Sequence, residues 1–166
     1  LKDLVKESIL NILEYSKDTK INLNNSSVLD LFSGTGSFGL ECISRGAAKV
    51  YFVENYDQSI EILNKNIKKL KCESKAKVLN ENAFNIFKNN KLNNLRFDLI
   101  FLDPPYKEKN VKIILENIAK LNLLKENGIV VLHRHKKSKD NFNNIFSIIR
   151  SAKYGISKIT FLKLIN

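Results

Sequence analysis

Apolar positions along the chain follow two rhythms that alternate. Leu4, Val5, Ile9, Ile12 and Leu13 share one face of a helix predicted over Asp3–Tyr15, with Lys6 and Glu7 on the other face. After a polar loop from Ser16 to Asn25, Val28 to Phe32 is an apolar run holding one carboxylate, Asp30. It breaks into Ser33-Gly34-Thr35-Gly36-Ser37-Phe38-Gly39, and Phe38, Leu40 and Ile43 then resume a helical period that ends at Arg45-Gly46. Lys49 to Val53 is a second strand, and Asp57 caps an amphipathic helix reaching Leu70. Lys75–Leu79 is a short strand, followed by a short helix from Ala83 towards Asn89. Phe97–Leu102 is a buried strand and Val111–Leu123 a helix. An Asn127-Gly128 turn leads into the strand Ile129–Leu132. Asn141–Ile149 reads as a helix, and Lys153–Ile156 with Lys158–Leu164 as a terminal hairpin.

Strands alternating with helices predict a doubly wound α/β fold, a mostly parallel seven-stranded sheet ending in an antiparallel hairpin. At 166 residues, one domain over 1–166 is expected. No apolar run approaches membrane-spanning length and no charged-then-apolar leader opens the sequence, so a cytoplasmic protein with no membrane partner is expected. Cys42 and Cys72 lack any CxxC or His spacing and read as reduced thiols. The net charge of +11 changes the picture more. An excess this large in a small domain favours a polyanion, because neutralising phosphates releases counterions.

Candidate chemistry concentrates in two stretches. Strand, glycine turn and helix form the opening of a nucleotide-binding unit, in which Gly34 and Gly36 permit a tight turn and close ligand approach. Glu54 ends the next strand, twenty residues after Gly34, where an acid can accept from both ribose hydroxyls of an adenosine cofactor. G-x-G-x-x-G serves both nicotinamide dehydrogenases and S-adenosylmethionine (SAM) methyltransferases. Arg96–Lys107, RFDLIFLDPPYK, separates them, because Asp103-Pro104-Pro105-Tyr106 is the D-P-P-Y signature of amino-methyltransferases. An exocyclic amine is a poor nucleophile. Hydrogen bonds to Asp103 and the Pro104 carbonyl would draw it towards sp3, while Tyr106 offers a stacking face and a duplex base would first have to flip out. The catalytic candidates are therefore Asp103, Pro104, Pro105 and Tyr106. The cofactor candidates are Asp30, Phe32, Gly34, Gly36, Glu54, Asn55, Asn82 and Ala83. Asp30 is expected to accept from the cofactor's amino group or else to tie down the turn. Asn82 is expected to hold the adenine amino group or else to cap the helix after it. His133 and His135 alternate at a strand end and read as basic surface near the cleft, with no metal site.

With both motifs placed, the chain resembles the RsmD family, bacterial methyltransferases that modify the N2 amino group of a guanine in 16S rRNA. The resemblance rests on DLVKESILNIL (Asp3–Leu13), LDLFSGTGSFGLECISRGA (Leu29–Ala47), FVEN, FDLIFLDPPYK and the KYG hairpin. It implies a Rossmann-like class I methyltransferase fold, SAM as cofactor and 16S rRNA in the small ribosomal subunit as partner; a monomer is expected. Asn82 stands where the family usually has Asp, and Arg134 where it more often has Glu. The family's basic Arg-Pro-Thr segment ahead of the first helix is not among these residues. Two other readings stay open: a DNA adenine-N6 methyltransferase, since D-P-P-Y serves both amines, and a non-catalytic RNA-binding assembly factor on the same fold.

Overall fold

Strands covered by helices on both faces have no solvent-facing side, so they read as unbroken apolar runs. The computed structural model, which describes residues 3–142 and 144–165, builds its sheet from such runs. In chain order the elements are α1 (Asp3–Tyr15), β1 (Ser27–Leu31), α2 (Ser37–Ser44), β2 (Lys49–Glu54), α3 (Asp57–Lys69) and β3 (Ala76–Asn80). A 3-10 turn (Ile86–Lys88) precedes β4 (Phe97–Leu102), α4 (Val111–Lys120), β5 (Leu124–His135), β6 (Phe146–Tyr154) and β7 (Ser157–Leu164). The seven strands lie in the order β3-β2-β1-β4-β5-β7-β6. Strands β1 to β5 are parallel, whereas β7 runs antiparallel to both β5 and β6.

Alternate residues of each strand feed two cores. Val28, Phe52, Leu99, Phe101, Val131 and Phe161 join Ile9, Leu10 and Leu13 of α1 on one face. On the other face Leu29, Leu31, Ile100, Leu102 and Leu132 meet Ile114, Leu115 and Ile118 of α4. Phe38 at the start of α2 stacks on Phe101 with ring centroids 3.8 Å apart, fixing the helix over the sheet centre.

Three local expectations need correction. The segment Asn141–Ile149 is not a helix: its second half is the edge strand β6, and Asn143 lies outside the described residues. Ile149 is an extra residue between the pairs Ile148↔Leu162 and Arg150↔Phe161, a bulge that transfers the strand's inward residues from one core to the other. Phe146 packs on the α4 side and Ile149 on the α1 side, so two core contacts three residues apart imitate a helical period. Asn127-Gly128 does not precede β5 but bulges within it, between the pairs Phe97↔Leu124 and Leu99↔Ile129. A Cβ at Gly128 would lie 2.8 Å from the Phe97 carbonyl oxygen, which is why the bulge carries glycine. Asp57 is the first residue of α3 rather than its cap, a place held by Tyr56.

Candidate active site

In-register parallel strands bring the residues that follow their last shared pairs to one level. The terminal pairs Leu31↔Val53, Leu31↔Leu102 and Leu102↔Leu132 put Phe32, Glu54, Asp103 and His133 in a row along one edge of the sheet. This is where doubly wound folds bind ligands. Two cavities open there. The larger, about 560 Å³, is bounded by Phe32, Glu54, Asn55, Asn82 and Phe84 at one end and by Asp103 to Tyr106 and His133 at the other. The smaller, about 280 Å³, lies over the glycine turn against Asp30, Gly34 and Phe38. Phe32 and Asp103 line both, so the two form one divided cleft.

Phe32 adopts φ +63°, a conformation that costs an aromatic L-residue strain and clusters at functional sites. Gly34, at φ +54°, has nothing within 4 Å of where a Cβ would stand, so its backbone borders open space. Gly36 caps α2 at φ +86°, and a Cβ there would sit 2.3 Å from Leu63. Of these two glycines, Gly34 faces the cleft and Gly36 faces the core.

The carboxylates hold this half together. Glu54 accepts from Gly34 N–H at 2.8 Å through Oε2, and from Asn55 and Tyr56 N–H at 2.9 Å each through Oε1. It therefore clasps the turn to β2 while lining the larger cavity. A carboxylate offers about four acceptor sites, so one remains for a ligand hydroxyl. Asp30 Oδ2 accepts from Gly39 N–H at 3.0 Å, tying down the first turn of α2, and the residue also lines the smaller cavity. Burial pushes its carboxyl up from an ordinary 3.8 to about 8; the Gly39 N–H opposes this, and the Asp103 and Glu54 charges add to it. Asn82 Oδ1 accepts from Phe84 N–H at 2.8 Å, an Asx turn that makes the local capping contact expected of it and leaves one lone pair of the carbonyl. Ala83 is buried in the α4-side core and borders neither cavity.

The other half is built by long-range side-chain contacts. Tyr106, 44% exposed, presents its ring over the mouth, edge-on to His133 and His135 at 5.9 and 5.5 Å between centroids. His133 is not surface: it is 4% exposed, with Nδ1 at 2.6 Å from Asp103 Oδ1 and Nε2 at 2.8 Å from Ser157 Oγ. Arg134 is equally buried. Its guanidinium donates to the Pro105 carbonyl at 3.2 Å, to the Glu108 carbonyl at 2.5 Å and to Asp140 Oδ1 at 3.2 Å, gripping the loop after β4. Sequence reading set His133 near the cleft but on the surface, and gave Arg134 no role there. The usable signal was the level ending of two apolar strands, Leu102 and Leu132, which sets His133 beside Asp103. Among the described residues no cluster of His, Cys, Asp or Glu could hold a metal, and no helix is long and apolar enough to cross a membrane. Exposed Lys107, Lys109, Lys136, Lys137, Lys139 and Lys153 surround this edge.

Residues 1–163 match the family described as Conserved hypothetical protein 95. YlbH of Bacillus subtilis, named provisionally as an rRNA methyltransferase, is 31% identical over 163 residues, spanning 97% of this chain and 85% of its own. Ribosomal RNA small subunit methyltransferase D of Haemophilus influenzae is 35% identical over 140 residues, which cover 81% of this chain but only 66% of the relative. A conserved hypothetical protein of Streptococcus pyogenes has a solved structure that superposes with a TM-score of 0.77 at 34% identity, over 84% of this chain and 86% of that one. The chain belongs to the Conserved hypothetical protein 95 family, the RsmD family its motifs resemble.

Proposed function

We propose that the protein is a SAM-dependent rRNA methyltransferase whose acceptor is the N2 amino group of a guanine in 16S rRNA of the small ribosomal subunit. One observation carries the reading: Asp103-Pro104-Pro105-Tyr106 borders the same divided cleft as the glycine turn and Glu54. The named relatives support the substrate class.

The residues fit the cofactor. The open space against Gly34 admits a ligand beside backbone N–H groups, Glu54 has an acceptor site for a ribose hydroxyl, and Phe32 and Phe84 offer flat apolar surface to an adenine. Bound SAM supplies a methyl group on a cationic sulfur. Asp30 faces that cation's compartment and is ready to ionise against it. Asn82 keeps an NH2 donor, which suits an adenine ring nitrogen better than an amine. Asp103 and the Pro104 carbonyl accept from the target amine, orienting its lone pair into the cleft, and the Asp103 carboxylate takes the proton the methylated nitrogen sheds. Tyr106 stacks on the flipped base, and the lysine rim holds the phosphates.

The test is transfer of labelled methyl from SAM to unmodified small-subunit particles, with duplex DNA in parallel, followed by nucleoside analysis. Label in N2-methylguanosine is expected. Label in N6-methyladenine from DNA would move the acceptor to the adenine reading. SAM binding with no transfer to either would favour the assembly-factor reading.

A further inference from the structure

Two buried side chains at the end of β5 reach back to the D-P-P-Y loop, and one of them touches the reacting carboxylate. His133 lies in a strand paired with β7 through His133↔Ile159 and His135↔Ser157, so the Ser157 hydroxyl meets one ring nitrogen while Asp103 meets the other. With both nitrogens engaged, the imidazole cannot turn. At 2.6 Å from a carboxylate, a bare Nδ1 lone pair would be repelled, so Nδ1 carries the proton. Nε2 then accepts from Ser157. Arg134, the next residue, fixes the Pro105 and Glu108 carbonyls and so restrains the loop on its other side.

The Ser157–His133–Asp103 order resembles a hydrolytic triad, but the polarity is reversed. In a triad the carboxylate is hidden and the hydroxyl faces substrate. Here Asp103 lines both compartments of the cleft, and Ser157, 8% exposed, lines neither.

We propose that His133 is a positioning residue: its Nδ1–H holds the Asp103 carboxylate in the orientation that receives the acceptor amine, and Ser157 locks the ring that does the holding. The proposal rests on the reading of Asp103 as the group that binds the amine. Displacing a catalytic group by about 1 Å costs on the order of 10²-fold in rate, which sets the expected size of the effect.

Single-turnover transfer to small-subunit particles, with calorimetric SAM binding alongside, tests it in three variants. His133→Phe keeps the ring and loses the donor; transfer should fall about 10²-fold with SAM affinity within about twofold of wild type. His133→Asn places its NH2 where Nδ1–H stood and should recover transfer to within about tenfold of wild type. His133→Gln places its donor at the Nε2 end and should behave as His133→Phe. In the wild-type protein, 15N-edited NMR should find the His133 proton on Nδ1 in slow exchange with water, and Asp103→Ala should speed that exchange. Equal activity of His133→Phe and wild type, equal rescue by Asn and Gln, or a proton resident on Nε2 would each overturn the assignment. Wild-type protein that binds SAM but methylates nothing would overturn the functional reading along with it, whereas an active wild type with an indifferent His133 would overturn this inference alone.

Discussion

The two halves of the cleft are held by different means. Around the ends of β1 and β2, carboxylates bind backbone: Glu54 takes three N–H groups within 20 residues of itself, and Asp30 takes one nine residues away. Around the ends of β4 and β5, side chains bind side chains and carbonyls across 24 to 30 residues, as in His133 to Asp103 and Arg134 to Pro105. The first half, where the proposed reading seats the cofactor, is held by glycine and short loops that leave it little freedom. The second half is a mount for one carboxylate, and its precision comes from neighbouring strands. Binding and transfer should therefore separate under mutation.

The largest expected separation is at Glu54. Glu54→Ala removes the turn's clasp and the proposed ribose acceptor, and SAM affinity should fall about 10- to 100-fold, the size of one charge-assisted hydrogen bond. The Asp103–His133 pair should persist, read as an unchanged His133 proton resonance. Arg134→Met strikes the other half. Among the described residues it leaves Asp140 facing only Lys158, at 3.8 Å, and it frees two loop carbonyls, so unfolding free energy should drop by about 3 kcal/mol in urea titration. SAM affinity of the folded fraction should hold, and a loss of both would mean that the halves are not independent.

A subtler probe lies beneath the nucleotide half. A Cβ at Gly39 would stand 2.3 Å from Phe52 Cε1 and 2.8 Å from Val50 Cγ1. Gly39→Ala should therefore cost about 1–3 kcal/mol by overpacking and displace the N–H that Asp30 accepts. An unchanged melting temperature would show that α2 is looser than its packing implies.

The smallest effect is one of pH. Folded Asp30 keeps its proton up to about 8, while the unfolded chain releases it near 3.8. The stability this proton contributes is complete below the unfolded value and is lost as pH rises towards 8. Asp30→Asn, neutral at every pH with an oxygen for Gly39, should lose less melting temperature than wild type across that range. Because a cation favours the ionised acid, wild-type SAM affinity should rise with pH over the same range, and that of Asp30→Asn should stay level. Parallel profiles in the two proteins would contradict the shifted carboxyl.

The same contrast explains what could be read from the sequence. β1, the glycine turn, α2 and Glu54 form one local unit whose spacing reflects its geometry, and α1 begins and ends where its apolar face predicts. D-P-P-Y is legible because its four residues are adjacent in the chain. His133 was read as surface because nothing nearby in sequence announces its partners; only the strand order, with β5 beside β4, brings Asp103 to it and Pro105 to Arg134. Asn82 shows a further limit. Its residue type left a ligand contact and a local cap both open, and the contact the structure makes is the local one, Oδ1 accepting from Phe84 N–H. The edge strand β6 was misread because its bulge at Ile149 gives core contacts a spacing of three, which periodicity alone assigns to a helix.

The most direct test of the divided cleft is Asp103→Ala, measured for SAM affinity by calorimetry and for single-turnover methyl transfer to unmodified small-subunit particles. The account predicts transfer reduced by about 10³-fold or more, with SAM affinity within a few-fold of wild type. Transfer that survives the substitution, or affinity that disappears together with transfer, would contradict it.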